Sequence, residues 1–201
     1  MVIEYFPQYS PQWWDARIGR PTASKFSSLV SATGKKSASW KPYAFKKAAE
    51  IETGKIEDTY QSASMVRGLE LEPEARKAYS FITEIDVEEV GVVYPNEKKE
   101  CSCSPDGISI VKRKGLEIKC LGYAGHKQGC YEQKIPTKYK PQVFGSLWIC
   151  DEIDSWDFML YHPDMKPFIT TVTREDEEYK AYIKIMADFL PEVSEFIKKV
   201  A

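Results

Sequence analysis

Ser104-Pro105-Asp106-Gly107, followed closely by Leu116-Glu117-Ile118-Lys119, is the stretch on which the fold turns. Side chains alternate across a strand, so Glu117 and Lys119 share a face while Leu116 and Ile118 share the other. Pro-Asp-Gly is a turn sequence, and a hairpin back from it sets Asp106 beside that charged face. Two carboxylates suit a hard divalent cation, and an ammonium next to them can position or activate water. That is the layout of a metal-dependent phosphodiesterase.

Working outward, strand-like patterning covers 85–93; after a charged turn at 95–100 come a strand to about 104, another at 108–111 and a third at 116–121, with a turn at 112–115. Two further strands are expected at 155–161 and 168–172. Residues 1–12 read as an irregular lead-in. Ser10 and Pro11 then open a short helix, which Gly19-Arg20-Pro21 ends. Further helices are expected from Thr22 (stripe Phe26, Leu29, Val30), over 42–53 (stripe Tyr43, Phe45, Ala48, Ala49) and over 64–81, where Met65, Leu69, Ala75 and Ala78 face inward and Pro73 marks a kink or a fresh start. A basic loop at 31–42 and a polar connection at 54–63 separate them. Later helices fall within 127–133, over 136–149 (Val143, Phe144, Leu147 and Trp148 inward), and from a capping box at Thr173 and Asp176 to about 189, with a separate piece after Pro191. Helices first, then charged strands, then helix, strand and helix imply a mixed α/β protein: a central mixed sheet flanked by helices, forming a clamp-like cleft. A single domain over 1–201 is expected, with its core at 12–165 and a helical tail at 173–201.

Several other residues join this centre as candidates. Glu72, in Arg67-Gly68-Leu69-Glu70-Leu71-Glu72, is a third carboxylate, and Gly68 within a helical pattern implies close approach by something. Gln142 precedes an apolar helical stripe and could bond a phosphate oxygen or a water. Arg17 offers a bidentate fork for phosphate, with Ser24 and Lys25 completing an N-terminal polar set. Each has a plainer reading: a glutamate before a kink, a surface glutamine, a strand charge facing water.

Composition narrows the classes. The 201 residues can bury a core without disulfides, and five cysteines in no regular framework imply reduced thiols. Cys101-Ser102-Cys103 is spaced too tightly for a zinc knuckle, and two histidines nearly exclude chemistry that needs several imidazoles. No apolar run is long enough to cross a bilayer and no signal pattern opens the chain, so a soluble cytoplasmic protein is expected. The net charge of −2 conceals blocks: +5 over 1–50, −7 over 51–108, +6 over 109–142 and −6 over 143–201. The basic blocks could face a nucleic-acid backbone while the acidic ones face water.

Five stretches together resemble a known family: Trp14-x-x-Arg17-x-Gly19-x-x-Thr22-Ala23-Ser24, Arg67-Gly68-x-x-x-Glu72, Asp106-Gly107, Leu116-Glu117-Ile118-Lys119-Cys120, and Gln142-Val143-x-x-x-Leu147-Trp148. The chain resembles the phage-type alkaline exonucleases, the lambda-exonuclease-like and YqaJ-like viral recombinases of the PD-(D/E)xK nuclease fold. The resemblance spans about 12–165. It implies that Asp106, Glu117 and the Ile118 carbonyl ligate a pair of Mg²⁺ ions, with Mn²⁺ as a substitute and Glu72 in support. It implies that Lys119 orients and activates the attacking water, that Gln142 steadies the network, and that Arg17 and Ser24 grip a terminal 5′-phosphate. Phe144 stands where the lambda enzyme has a second glutamine. The resemblance alone also implies 5′-to-3′ degradation of linear duplex DNA that leaves a 3′ overhang, a ring-shaped homotrimer around DNA ends, a phage single-strand annealing partner and a host cytoplasm. Alternatives are an endonuclease of the same fold, which would cut closed circular DNA, and an inactive DNA-end-binding protein, which would bind without a metal-dependent product.

Overall fold

Six strands and six α-helices form among residues 1–57 and 62–201, the residues that the computed structural model describes. In chain order they are β1 (Val2–Glu4), α1 (Pro11–Asp15), a 3₁₀ helix at Ala23–Ser28, α2 (Trp40–Thr53), α3 (Ala63–Thr83), β2 (Val92–Tyr94), β3 (Gly107–Ser109) and β4 (Lys114–Lys119). Then follow α4 (Tyr123–Glu132), a 3₁₀ turn at Thr137–Tyr139, α5 (Lys140–Ile149), β5 (Ser155–His162), β6 (Met165–Thr173) and α6 (Glu177–Val200). Residues 58–61 of the expected polar connection lie outside the described residues.

The main sheet runs β3-β4-β5-β6 and is mixed. β3 and β4 form an antiparallel hairpin in which Gly107 faces Leu116. β4 and β5 are parallel, with Glu117 opposite Phe158, and β5 and β6 are antiparallel. A parallel pair needs a long crossover, which α4 and α5 supply. Helices cover both faces, as the alternation along β4 and β5 demands. Leu116, Ile118, Met159 and Tyr161 pack with Ala75 and Tyr79 of α3. On the other face Trp156, Phe158 and Leu160 join the larger core with Phe26, Leu147, Tyr182 and Phe189. The class is therefore mixed α/β, a central mixed sheet between helices.

Several local expectations are revised. The lead-in contains β1, which pairs antiparallel with β2, a partner some 90 residues distant that no local pattern announces. The extended stretch before β2 is a strand only from Val92, preceded by an isolated bridge between Glu88 and Ile108. α2 buries Ala44, Lys47, Ala48 and Glu50, while Phe45 and Ala49 are exposed. Its inner face is thus rotated from the apolar stripe because it carries a buried ion pair. Met65 is exposed, and α3 runs through Pro73 without ending there. α6 likewise runs through Pro191. Asp176 accepts from the Thr173 amide at 2.8 Å, as a capping contact should, but the helix starts after Asp176 and not after Thr173.

Candidate active site

The β3–β4 hairpin places the first carboxylate. Asp106 is nearly buried, its amide donates to the Leu116 carbonyl at 3.2 Å, and its Oδ2 accepts from the Ile118 amide at 2.6 Å. The backbone on either side is clamped as well. Gln8 Nε2 donates to the Pro105 carbonyl at 2.9 Å, and Arg76 Nε donates to the Asp106 carbonyl at 2.6 Å. Arg76 lies one helical turn beyond Glu72, so the i, i+4 spacing on α3 was the signal that would have found it. Gln8 had none.

Glu117 points to the face opposite Leu116 and Ile118 and is 1% exposed. The Lys119 ammonium lies 2.5 Å from Oε1 as an ion pair, and Oε2 has no hydrogen-bond donor among the described residues. Asp157 on the adjacent strand shows what a structural buried carboxylate looks like here. It receives the Tyr79 hydroxyl at 2.8 Å, the Thr171 hydroxyl at 2.6 Å and the Lys114 ammonium at 2.9 Å. A buried acid without such partners is costly to keep ionised. Burial pushes the Glu117 carboxyl up to about 8, against the pull of Lys119 and with Asp106 adding to the rise. Burial also raises Glu72 to about 8, assisted by Asp106 and Glu117 and opposed by Lys119 and Arg76. Burial is the main cause raising Asp106 too, although Lys119 and the Ile118 amide oppose it.

For Lys119, burial disfavours the ammonium, but Glu117 and Asp106 outweigh it and hold the group above its ordinary value. It is a cation and a donor at neutral pH. Its ammonium also lies 5.5 Å from the centroid of the Tyr139 ring.

Glu72, Ile118, Lys119, Gln142, Ser24 and Tyr9 all line one cleft of about 550 Å³. A larger cleft of about 1090 Å³ opens beside Trp14, Ile18, Lys46 and Thr53, away from these carboxylates. Volume does not mark the chemistry; the buried, incompletely satisfied carboxylate does. The donors fit a hard divalent cation in kind, being oxygen-only and anionic, with Oε2 of Glu117 lacking a donor among the described residues. Among the described residues, however, no three Asp, Glu, His or Cys side chains are gathered closely enough to hold an ion as they stand. The Lys119–Glu117 ion pair occupies part of that geometry.

Arg17 sits apart from the cleft lining. Its guanidinium lies 4.1 Å over the Trp13 ring and donates to Ser104 Oγ at 3.2 Å, two residues before Asp106. Trp13 Nε1 donates to the same hydroxyl at 2.9 Å. Behind Arg17 stands the α2 pair that the apolar pattern concealed. Lys47 Nζ lies 2.7 Å from Glu50 Oε2, which also accepts the Gly19 amide at 3.1 Å. Gly19 has φ +69, and a Cβ there would fall 2.3 Å from Ile51, so only glycine turns the chain here. Ser24 is exposed, with its hydroxyl 3.2 Å from that of Thr22. Lys25 is exposed and is not part of the cleft wall. All five cysteines are free thiols; Cys103 and Cys150 share a thiol hydrogen bond at 3.6 Å between sulfurs and form no disulfide.

Residues 12–152 match the model of the YqaJ-like viral recombinase domain. The chain belongs to this family. Among solved structures, this YqaJ-like chain is similar to the alkaline exonuclease LHK-Exo from Laribacter hongkongensis, at 29% identity and a TM-score of 0.79, covering 95% of this chain and 96% of that one. LHK-Exo in complex with dAMP gives 28% identity and a TM-score of 0.80 over the same shares. A phage-related exonuclease from Haemophilus somnus 129PT, at 13% identity and a TM-score of 0.63 over 90% of this chain and 96% of that one, shares the fold. No curated protein matches the chain. The YqaJ-like match includes every residue singled out above except Gln8 and Tyr9, and Asp157 and Thr171 on β5 and β6.

Proposed function

We propose that the protein is a metal-dependent deoxyribonuclease that degrades linear duplex DNA from its 5′ ends, releasing 5′-mononucleotides and leaving a 3′ overhang. The buried Glu117 carboxylate, ion-paired to Lys119 through one oxygen, without a donor on the other and set beside Asp106, carries this reading. Such a group is costly in a finished core and useful where a cation is to be held. Similarity to solved alkaline and phage-related exonucleases supports it.

Asp106, Glu117, the Ile118 carbonyl and Glu72 would hold Mg²⁺, two ions per site, or Mn²⁺ in its place. When bound, the ions would acidify the attacking water and offset the charge developing on the leaving oxygen. Asp106 is fixed for this by its bond to the Ile118 amide. Lys119, held as an ammonium, donates to the water or to a phosphate oxygen and so orients the in-line attack on phosphorus. Gln142 supplies a neutral amide from α5 on the same cleft. The leaving group is the 3′ oxygen, so the phosphate stays on the 5′ side of the next nucleotide. Arg17, with Ser24 and Lys25, takes the terminal 5′-phosphate.

The whole chain acts as one nuclease domain in this reading, as a ring-shaped homotrimer on DNA ends, alongside a phage single-strand annealing protein in the host cytoplasm; family membership supports these. No helix among the described residues is long and apolar enough to cross a membrane.

A time course on linear duplex labelled separately at its 5′ and 3′ ends tests the reading, with Mg²⁺ or chelator, beside closed circular DNA and Lys119→Ala. Early release of the 5′-terminal nucleotide, an intact circle and a silent variant are expected. A nicked circle would establish an endonuclease instead, and binding without any metal-dependent product a DNA-end-binding protein.

A further inference from the structure

The cleft that holds Glu72 and Lys119 extends along α3 to a part that phosphate chemistry does not use. Gly68 lies there, inside the helix, with Met65 and Leu69 beside it on the cleft wall. A Cβ built on Gly68 would meet nothing within 4 Å among the described residues. No neighbour among the described residues requires glycine here, although mid-helix glycine destabilises relative to alanine. Its effect is to leave a notch in the helix surface, open to the cleft.

Tyr9 reaches the same cleft from the segment before α1. Its φ of +64 is left-handed, a conformation that an aromatic residue adopts only when its surroundings enforce it. Both flanks do so. Gln8 is tied to the carbonyls of Val90 and Pro105 at 3.0 and 2.9 Å, and Ser10 caps α1 by accepting the Trp13 amide at 3.3 Å. The result is a phenol ring supported by Trp13 at 4.8 Å between centroids, on a residue that is 44% exposed.

We propose that Tyr9 and the notch at Gly68 form a nucleobase subsite, the ring as a stacking surface and the notch as clearance, beside the carboxylates that act on the phosphate. Stacking on an aromatic ring tolerates any base, and the cleft volume of about 550 Å³ lies in the range of small-ligand sites. The substrate class, a deoxynucleotide, rests on the nuclease reading; the subsite geometry does not.

Calorimetric titration with 2′-deoxyguanosine 5′-monophosphate and with 2-deoxyribose 5-phosphate tests this, in Mg²⁺, on the wild type, Tyr9→Phe, Tyr9→Ala and Gly68→Ala. The wild type and Tyr9→Phe should prefer the nucleotide by about tenfold, the size of a base–aromatic stack. Tyr9→Ala should lose that preference with sugar-phosphate binding unchanged. Gly68→Ala should raise the melting temperature while weakening the nucleotide several-fold. No nucleotide preference in the wild type, or equal losses for both ligands, would overturn the subsite. So would Gly68→Ala binding the nucleotide as the wild type does. A wild type that prefers the nucleotide through Tyr9 but never cleaves DNA would keep the subsite and remove the nuclease reading, whereas cleavage with unaltered Tyr9→Ala binding does the reverse.

Discussion

Oδ2 of Asp106 lies 2.6 Å from the amide nitrogen of Ile118, so the first carboxylate of the site is bonded to the strand that carries the second. β3 begins only at Gly107, opposite Leu116, and the edge of β4 beyond that pair is closed by the Asp106 side chain instead of by backbone. In a strand the N–H and C=O of one residue point to the same side. The Ile118 carbonyl therefore faces the side from which Asp106 approaches. One short hairpin presents a carboxylate and a backbone oxygen along a single edge, with Glu117 and Lys119 projecting from the face beside it.

Replacing Asp106 separates its two roles. Asp106→Asn keeps an acceptor for the Ile118 amide, so the fold should hold while Mg²⁺-dependent cleavage falls by at least 100-fold. Asp106→Ala leaves a buried amide unpaired and should also cost about 1–3 kcal/mol, roughly 2–4 °C in Tm for each kcal/mol in a chain of this length. Thermal melts alongside a cleavage assay decide it. An asparagine variant with near-normal turnover would remove Asp106 from the chemistry.

Cation binding should depend on pH in a defined direction. Glu72 and Glu117 are raised to about 8 from an ordinary carboxylate value, chiefly by burial. Without a cation, the folded chain binds more protons than the unfolded one between those limits. The stability these groups contribute is full below the ordinary value and is lost as pH rises through about 8. Mg²⁺ competes with those protons, so the rise in Tm on adding Mg²⁺ should grow from pH 5 to about pH 9, and binding at pH 7 should release protons. Melts with and without chelator, and calorimetry in two buffers of different ionisation enthalpy, test both. A Tm increment that does not change with pH would mean these carboxylates do not hold the ion.

Lys119 should act as a cation. Glu117 and Asp106 hold its ammonium above the ordinary lysine value, which leaves almost no free amine at pH 7–9. The wild-type rate should therefore show no rising limb from lysine deprotonation below about pH 10. Lys119→Met should lose at least 100-fold in turnover at every pH. A variant whose rate recovers at high pH would point to hydroxide replacing an amine base, and so to the opposite role.

Much of this architecture could be read along the chain because its signals are local. Ser10 caps α1, the β4 alternation separates Glu117 and Lys119 from Leu116 and Ile118, and β5 appears as one apolar run. What stayed hidden depends on distant partners. β1 is three residues whose strand character comes from β2. The inner face of α2 could not be found from apolar spacing, since Lys47 and Glu50 occupy it and look like surface residues until Gly19 is placed against them. Arg76 and Gln8 serve the site through backbone carbonyls, which leave no mark in residue type. Tyr9 is a further case: a tyrosine in a polar lead-in gives no sign of a left-handed backbone.

The Lys47–Glu50 pair should matter to Arg17, the residue proposed to bind the DNA end, more than to the carboxylates. Glu50 Oε2 receives both the Lys47 ammonium at 2.7 Å and the Gly19 amide at 3.1 Å, and Lys47 also reaches the Arg17 carbonyl at 3.5 Å. Lys47→Met alone strands a buried carboxylate and should cost about 3–5 kcal/mol. Adding Glu50→Gln removes the second charge but keeps an acceptor for Gly19, so the double variant should recover most of that loss. Its coupling with Arg17 would show as a smaller preference for 5′-phosphorylated over 5′-hydroxyl ends, with cleavage of internal positions on an already engaged strand unchanged. A four-way cycle of Tm values, read together with initial rates on the two kinds of end, measures both effects. Equal slowing on phosphorylated and hydroxyl ends would show that this pair supports the fold without placing Arg17 for the phosphate.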